Sequence, residues 1–213
     1  LTFLAPCPHV GLPDTSMSRF STGNHESTKI KGEADFYTAR AVSKYRVREY
    51  AESLEDVSRA IELSPQQPVA YTTRATVRLQ MGDYTGAITD ASESLRLNPA
   101  QADTYVIRAV AKYNLMDYAG SVHDTTEAIR LSQTNVLAYA NRAGTRRKMG
   151  DPEGALEDLS SMIALAPNNA WAYVLRGAVH VDIGAWADAL NDYNQAIALQ
   201  SADPEVFTNR SHV

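Results

Sequence analysis

The chain has 213 residues, 44% of them apolar and 21% charged, a balance that excludes wholesale disorder. Its net charge of −5 and pI near 5.5 argue against a nucleic-acid phosphate binder. No apolar run is long enough to cross a membrane as a helix, and the single cysteine, Cys7, excludes an intramolecular disulfide and a cysteine-rich zinc site.

Residues 1–33 come first. Pro6, Pro8, Gly11 and Pro13 break regular structure, and 15–28 are rich in Ser, Thr, Asn and Gly. This predicts an extended or disordered arm over 1–33. Its apolar start (Leu1, Phe3, Leu4, Val10, Leu12) suits docking on a neighbouring surface or on the chain's own groove. A solvated tail is the plainer alternative.

From residue 34 the chain repeats itself. Aromatic residues recur every 34 residues at Tyr37, Tyr71, Tyr105, Tyr139, Tyr173 and Phe207. Three places on stands an arginine: Arg40, Arg74, Arg108, Arg142, Arg176, then Arg210. A small residue follows each: Ala41, Ala75, Ala109, Ala143, Gly177, Ser211. An aspartate column shares the register at Asp56, Asp90, Asp124, Asp158 and Asp192. These columns divide the chain into five repeats, 34–67, 68–101, 102–135, 136–169 and 170–203. Residues 204–213 open a sixth, as its first helix.

Within a repeat the apolar and small residues fall at helical spacing. Tyr71, Arg74, Ala75 and Arg78 share one stripe, and Tyr84, Ala87, Ile88, Ala91 and Leu95 share another. Gly82 between them suits the left-handed residue that ends a helix, and Asp83 suits the N-cap of the next. Asp151-Pro152 repeats that logic. Gly150 and Gly184 match Gly82, whereas Arg48 and Met116 do not, so those two turns are expected to differ. One helix pair cannot bury its apolar face alone; stacked neighbours can.

The pattern resembles the tetratricopeptide repeat (TPR) family, carried by Tyr71-Thr-Thr-Arg-Ala75, Gly82-Asp-Tyr84, Ala87-Ile88 and Leu97-Asn-Pro99. The resemblance implies an all-α, right-handed superhelical solenoid of antiparallel helix pairs whose first helices line a concave groove. By register, that groove would be formed by Thr38, Val42, Thr72, Thr73, Thr76, Val106, Ile107, Val110, Asn141, Gly144, Arg147, Leu175 and Ala178. Its floor is neutral and partly apolar, turning basic only at Arg146, Arg147 and Lys148. One class within the family clamps the terminal carboxylate of chaperones with Lys, Asn and Arg on successive first helices. Asn141 matches the middle of that clamp, but Val106, Val110, Trp171 and Leu175 stand where its flanks belong, which disfavours a co-chaperone.

Two readings of the Arg and Asp columns remain open. The arginines could grip an acidic ligand, or each could pair with an aspartate between helices. Equal numbers in register favour structural ion pairs for Arg40, Arg74, Arg108, Arg142 and Arg176 with the five aspartates.

Catalytic signals are thin. The five histidines show no metal-ligand spacing, and phosphate-binding loops and nucleophile elbows are missing. His123 and His180 read as surface or packing residues. The expectation is therefore no catalysis, no cofactor and no metal. The partner is a protein, offering an apolar or amphipathic segment to a scaffold or adaptor, without nucleic acid or a membrane span. A start at Leu1 and an unfinished sixth repeat point to a piece of a longer protein with a catalytic or targeting part, or to self-association at the uncapped end. Lone cysteine usage suits an intracellular setting, cytoplasmic or within an organelle.

Overall fold

A computed structural model of the chain describes residues 25–199. They form two compact units, 25–117 and 118–199. The first holds α1 (His25–Arg46), α2 (Tyr50–Leu63), α3 (Pro68–Gln80), α4 (Tyr84–Leu97) and α5 (Ala102–Asn114). The second holds α6 (Tyr118–Leu131), α7 (Val136–Met149), α8 (Pro152–Leu165), α9 (Ala170–Asp182) and α10 (Trp186–Ala198).

Helix α1 starts at His25, so residues 25–33 are helical and the expected arm shortens at that end. No proline lies beyond residue 13 of that segment, so the backbone of residues 25–33 is free to continue the helix, with residues 28–33 exposed. Residues 1–24 and the start of a sixth repeat at 204–213 lie outside the described residues.

In both units each helix packs on the next in sequence. In the first, α1, α3 and α5 also touch one another in order. The cores are thin and local. Ala41, Val57, Ala60 and Ala70 form one, capped by Tyr37, Leu54 and Ile61. In the second unit Ala143, Ala155, Leu159, Met162 and Val179 form another, and Val174, Ala189, Tyr193 and Ala196 a third. The small column at Ala41, Ala75, Ala109, Ala143 and Gly177 is buried throughout, which lets paired helices approach closely.

Helix starts follow local chemistry. The Asp83 and Asp151 carboxylates accept from the backbone N–H of Gly86 and Gly154, both at 2.9 Å. Asn135 and Asn169 cap α7 and α9 in the same way. Pro68 and Pro152 occupy first-turn positions where no donor is needed.

The turns between paired helices correct one expectation. Arg48 (φ 65°) and Met116 (φ 63°) take the same left-handed conformation as Gly82, Gly150 and Gly184. The reason is a shared hydrogen bond. The N–H of the residue just after each left-handed one reaches back to a carbonyl five residues earlier: Glu49 to Lys44, Asp83 to Arg78, Asp117 to Lys112, Asp151 to Arg146 and Ala185 to His180, at 2.9–3.0 Å. That closure holds Arg48 and Met116 in a conformation that costs a side-chain-bearing residue about 1 kcal/mol.

Candidate functional site: the first-helix face and its ion-pair frame

On α1, α3, α7 and α9 the arginine faces the second helix of its own repeat. Arg40 donates through Nε and Nη2 to both Asp56 oxygens at 2.7 and 2.6 Å. Arg74 does so to Asp90 at 2.9 and 2.7 Å, and Arg176 to Asp192 at 2.9 and 2.6 Å. Arg142 grips Asp158 likewise. These four aspartates, and Asp124, are buried. Two parallel N–H···O bonds per pair give the fork geometry that Arg alone can supply.

The same guanidiniums serve further contacts. Each lies over the ring three residues before it, Arg74 at 5.8 Å from the Tyr71 centroid and Arg108 at 5.5 Å from Tyr105. This accounts for the repeated Tyr-x-x-Arg spacing. Three of them also reach the preceding second helix: Arg74 donates to the Ser58 hydroxyl, Arg108 to Ser92 at 3.1 Å and Arg142 to Thr126 at 3.2 Å. One arginine thus ties three consecutive helices.

A second cation column went unnoticed in the sequence. Lys44 reaches Asp56 at 2.9 Å, Arg78 reaches Asp90 at 2.8 Å and Arg146 reaches Asp158 at 3.0 Å. His180 holds this place in the last repeat, with Nε2 3.6 Å from Asp192. The signal was present, because Lys44, Arg78, Lys112, Arg146 and His180 are 34 residues apart, one helical turn after the first arginine column. The Asp56 carboxyl is held below its usual range, first by the Arg40 hydrogen bond, with Lys44 adding to it against the opposing effect of burial.

The residues assigned to the groove divide into two sets. Thr38, Thr72, Thr73, Thr76, Val106, Ile107, Val110 and Ala178 are buried. Thr72 shares a hydroxyl network with Ser94 at 2.7 Å and Thr104 at 2.9 Å, so it faces the joint between repeats. Thr38, Thr73 and Thr76 donate to carbonyls four residues back on their own helices. Val42, Asn141, Gly144, Arg147 and Leu175 are half-buried and reachable from solvent.

The reachable set in the second unit lies on α7 and α9. Asn141 donates to the Leu137 carbonyl at 2.8 Å, which engages its amide N–H within its own helix. The basic edge is largely neutralised. Arg147 forms a two-bond pair with Asp182, and Arg146 is spent on Asp158 and the Gly154 carbonyl. Lys148 is exposed. Among the described residues no cluster of His, Cys, Asp or Glu could hold a metal, and no helix is long and apolar enough to cross a membrane.

Helices that recur in one 34-residue register, with Arg–Asp pairs at Arg40, Arg74, Arg142 and Arg176, define a helical-repeat protein. The tetratricopeptide repeat family model matches residues 141–204, and the chain shares its fold with solved TPR proteins. PilF of Pseudomonas aeruginosa aligns with a TM-score of 0.75 at 14% identity, covering 85% of this chain and 82% of that one. MamA of Desulfovibrio magneticus RS-1 aligns at 0.72 and 14% identity, covering 81% and 97%. YrrB, described as a TPR protein with an unusual peptide-binding site, aligns at 0.69 and 19% identity, covering 88% and 95%. No curated protein sequence matches the chain.

Proposed function

We propose that the chain is a non-catalytic interaction scaffold that binds an apolar or amphipathic segment of a partner protein on its first-helix face. One observation carries this reading: the half-buried surface on α7 and α9 made by Asn141, Gly144 and Leu175. Half-buried Leu137 and Trp171 flank it on the same helices, and the Arg147–Asp182 pair bounds it. The surface is small, neutral and apolar. Side-chain burial and shape would supply most of the affinity there, as in other grooves that take a peptide. The arginine and aspartate columns serve as internal frame in this reading, because their donors and acceptors are taken up between helices.

Titrating the chain and its Gly144→Glu and Leu175→Glu variants against partner segments selected from a peptide library tests the proposal. Both variants should lose at least about tenfold in affinity, since a charge would be desolvated at the contact. Unchanged affinity in both, with the helical circular dichroism intact, would place binding elsewhere.

A further inference from the structure

Each unit shows how one repeat seats on the next. A first helix lies against the second helix of the repeat before it: α3 on α2 and α5 on α4 in the first unit, α7 on α6 and α9 on α8 in the second. One column of the first helices gives each joint a small buried residue, Ala70, Thr104, Ala138 or Ala172. Ala70 packs there with Val57 and Ala60, beside Leu54 and Ile61 of α2. A polar contact accompanies three of the joints, where Arg74, Arg108 and Arg142 donate through Nη1 to Ser58, Ser92 and Thr126. Both halves of this joint also stand open in the chain. Among the described residues no second helix precedes α1. Its joint residue is Phe36, 58% exposed and flanked by exposed Ala39 and Ser43. Arg40 spends Nε and Nη2 on Asp56, and its Nη1 has no hydrogen-bond partner among the described residues. Its side chain is 45% exposed, against 18% for Arg74 and 14% for Arg142. On α10, the last described second helix, Trp186 and Leu190 are 51% and 39% exposed, in the columns where Tyr84 and Ile88 are half-buried. Exposed Asn194 holds the place of Ser58, Ser92 and Thr126.

We propose that α10 of one copy of the chain receives α1 of a second copy, so that copies associate head to tail through a joint of the chain's own repeat type. Three observations select a second copy as the occupant. The chain carries both halves of the joint: α1 and α10 hold the same columns that meet between α3 and α2. Phe36 would lie against Leu190 and Ile197, the counterparts of Leu54 and Ile61. The polar halves match as well. The idle Nη1 of Arg40 is a donor, and Asn194 offers a side-chain carbonyl where Ser58 accepts from Arg74. Charge agrees with both. Short connections make successive helices antiparallel, so the start of α10, with exposed Asp188, meets the end of α1, with exposed Arg46. The Phe36 ring is larger than the alanine of the internal joint, which sets the two helices at the wide end of their usual spacing, about 10 Å. Burial of Phe36, Trp186 and Leu190 drives the association. Such an interface is heterologous: each copy uses one face for one neighbour and a different face for the next.

This inference does not rest on the groove reading, and its test uses the full chain without any other partner. Light scattering measures the molar mass of the natural chain and of its Phe36→Asp and Leu190→Asp variants over a range of concentrations. Each variant would have to desolvate a charge on one face and keeps the other face intact. The natural chain should gain mass with concentration, and each variant alone should stay at the monomer mass. An equimolar mixture of the two variants can form one joint only, from α10 of the Phe36→Asp chain and α1 of the Leu190→Asp chain. That mixture should reach twice the monomer mass and grow no further. A natural chain that stays monomeric would overturn the proposal and give the α10 face to another occupant. So would a single variant that associates as the natural chain does. A mixture that stays monomeric where the natural chain associates would overturn it in favour of pairing between like faces. Ala39→Glu replaces Phe36→Asp, and Trp186→Glu replaces Leu190→Asp, if circular dichroism shows the first choice unfolded.

Discussion

Arg142 holds Asp158 through Nε and Nη2 at 3.0 and 2.6 Å, and the carboxylate is only 2% exposed between α7 and α8. Removing the arginine leaves a buried acid with Arg146 as its remaining cation. Breaking a buried pair in this way costs about 3–5 kcal/mol, and Arg146 should keep Arg142→Ala at the lower end. Replacing both partners by apolar residues, Arg142→Met with Asp158→Leu, should cost less than the single change. Urea midpoints of the three proteins measure this. A ligand-gripping role would instead show as lost partner binding with the midpoint unmoved.

Much of this frame was legible in the chain itself. The aromatic, arginine, small and aspartate columns recur with one period, and each has a partner at fixed offset, Tyr71 under Arg74 and Asp90 beyond it. The Asp83 and Asp151 caps were legible for the same reason, since a cap is a local interaction. Other features were not. Arg48 and Met116 carry no glycine signal, because the fifth-residue hydrogen bond imposes their conformation after folding. The second cation column was hidden by its mixed chemistry, as lysine, arginine and histidine share one place. Groove accessibility was not legible at all. Thr73 and Asn141 occupy the same repeat position, and their burial differs through packing that no column records.

Gly177 lies against Tyr193, where a β-carbon would stand 2.6 Å from the ring. The matching pair one repeat earlier is Ala143 with Leu159, a larger residue facing a smaller one. Gly177→Ala should therefore destabilise by about 1–3 kcal/mol despite its better helix propensity. Adding Tyr193→Leu should restore much of the loss by reproducing the earlier repeat. A thermal-melt double-mutant cycle with no coupling between the two sites would rule this packing out. Burial also pushes the Tyr193 phenol up to about 12, so Tyr193→Phe should remove a component of the absorbance titration lying above the usual tyrosine value near 10.

The left-handed turns make an opposite prediction for glycine. Arg48→Gly and Met116→Gly relieve positive-φ strain while adding unfolded-state entropy, so each should stabilise by a net amount of about 0.5 kcal/mol. Gly150→Ala should cost about 1 kcal/mol, although open space surrounds its position. Chemical denaturation of the three variants checks both signs. A loss on Arg48→Gly would mean that its side chain contributes more than the strain it bears.

Acid should weaken the first repeat through Asp56. Its folded carboxyl titrates below the usual value near 4, chiefly because Arg40 donates to it and Lys44 adds a second bond. A depressed folded value means the folded state favours the ionised form. The resulting stability is fully present above the unfolded value and is lost as pH falls through the folded one. Asp56→Asn keeps the shape but discards that charge dependence. The variant should be less stable than the natural chain at pH 7, and the gap should narrow by pH 3, where the natural carboxyl gains protons. Urea unfolding followed by circular dichroism at both pH values measures the gap. A gap of constant size would assign the cost of Asp56→Asn to lost hydrogen-bond geometry and remove the ion pair from the acid response.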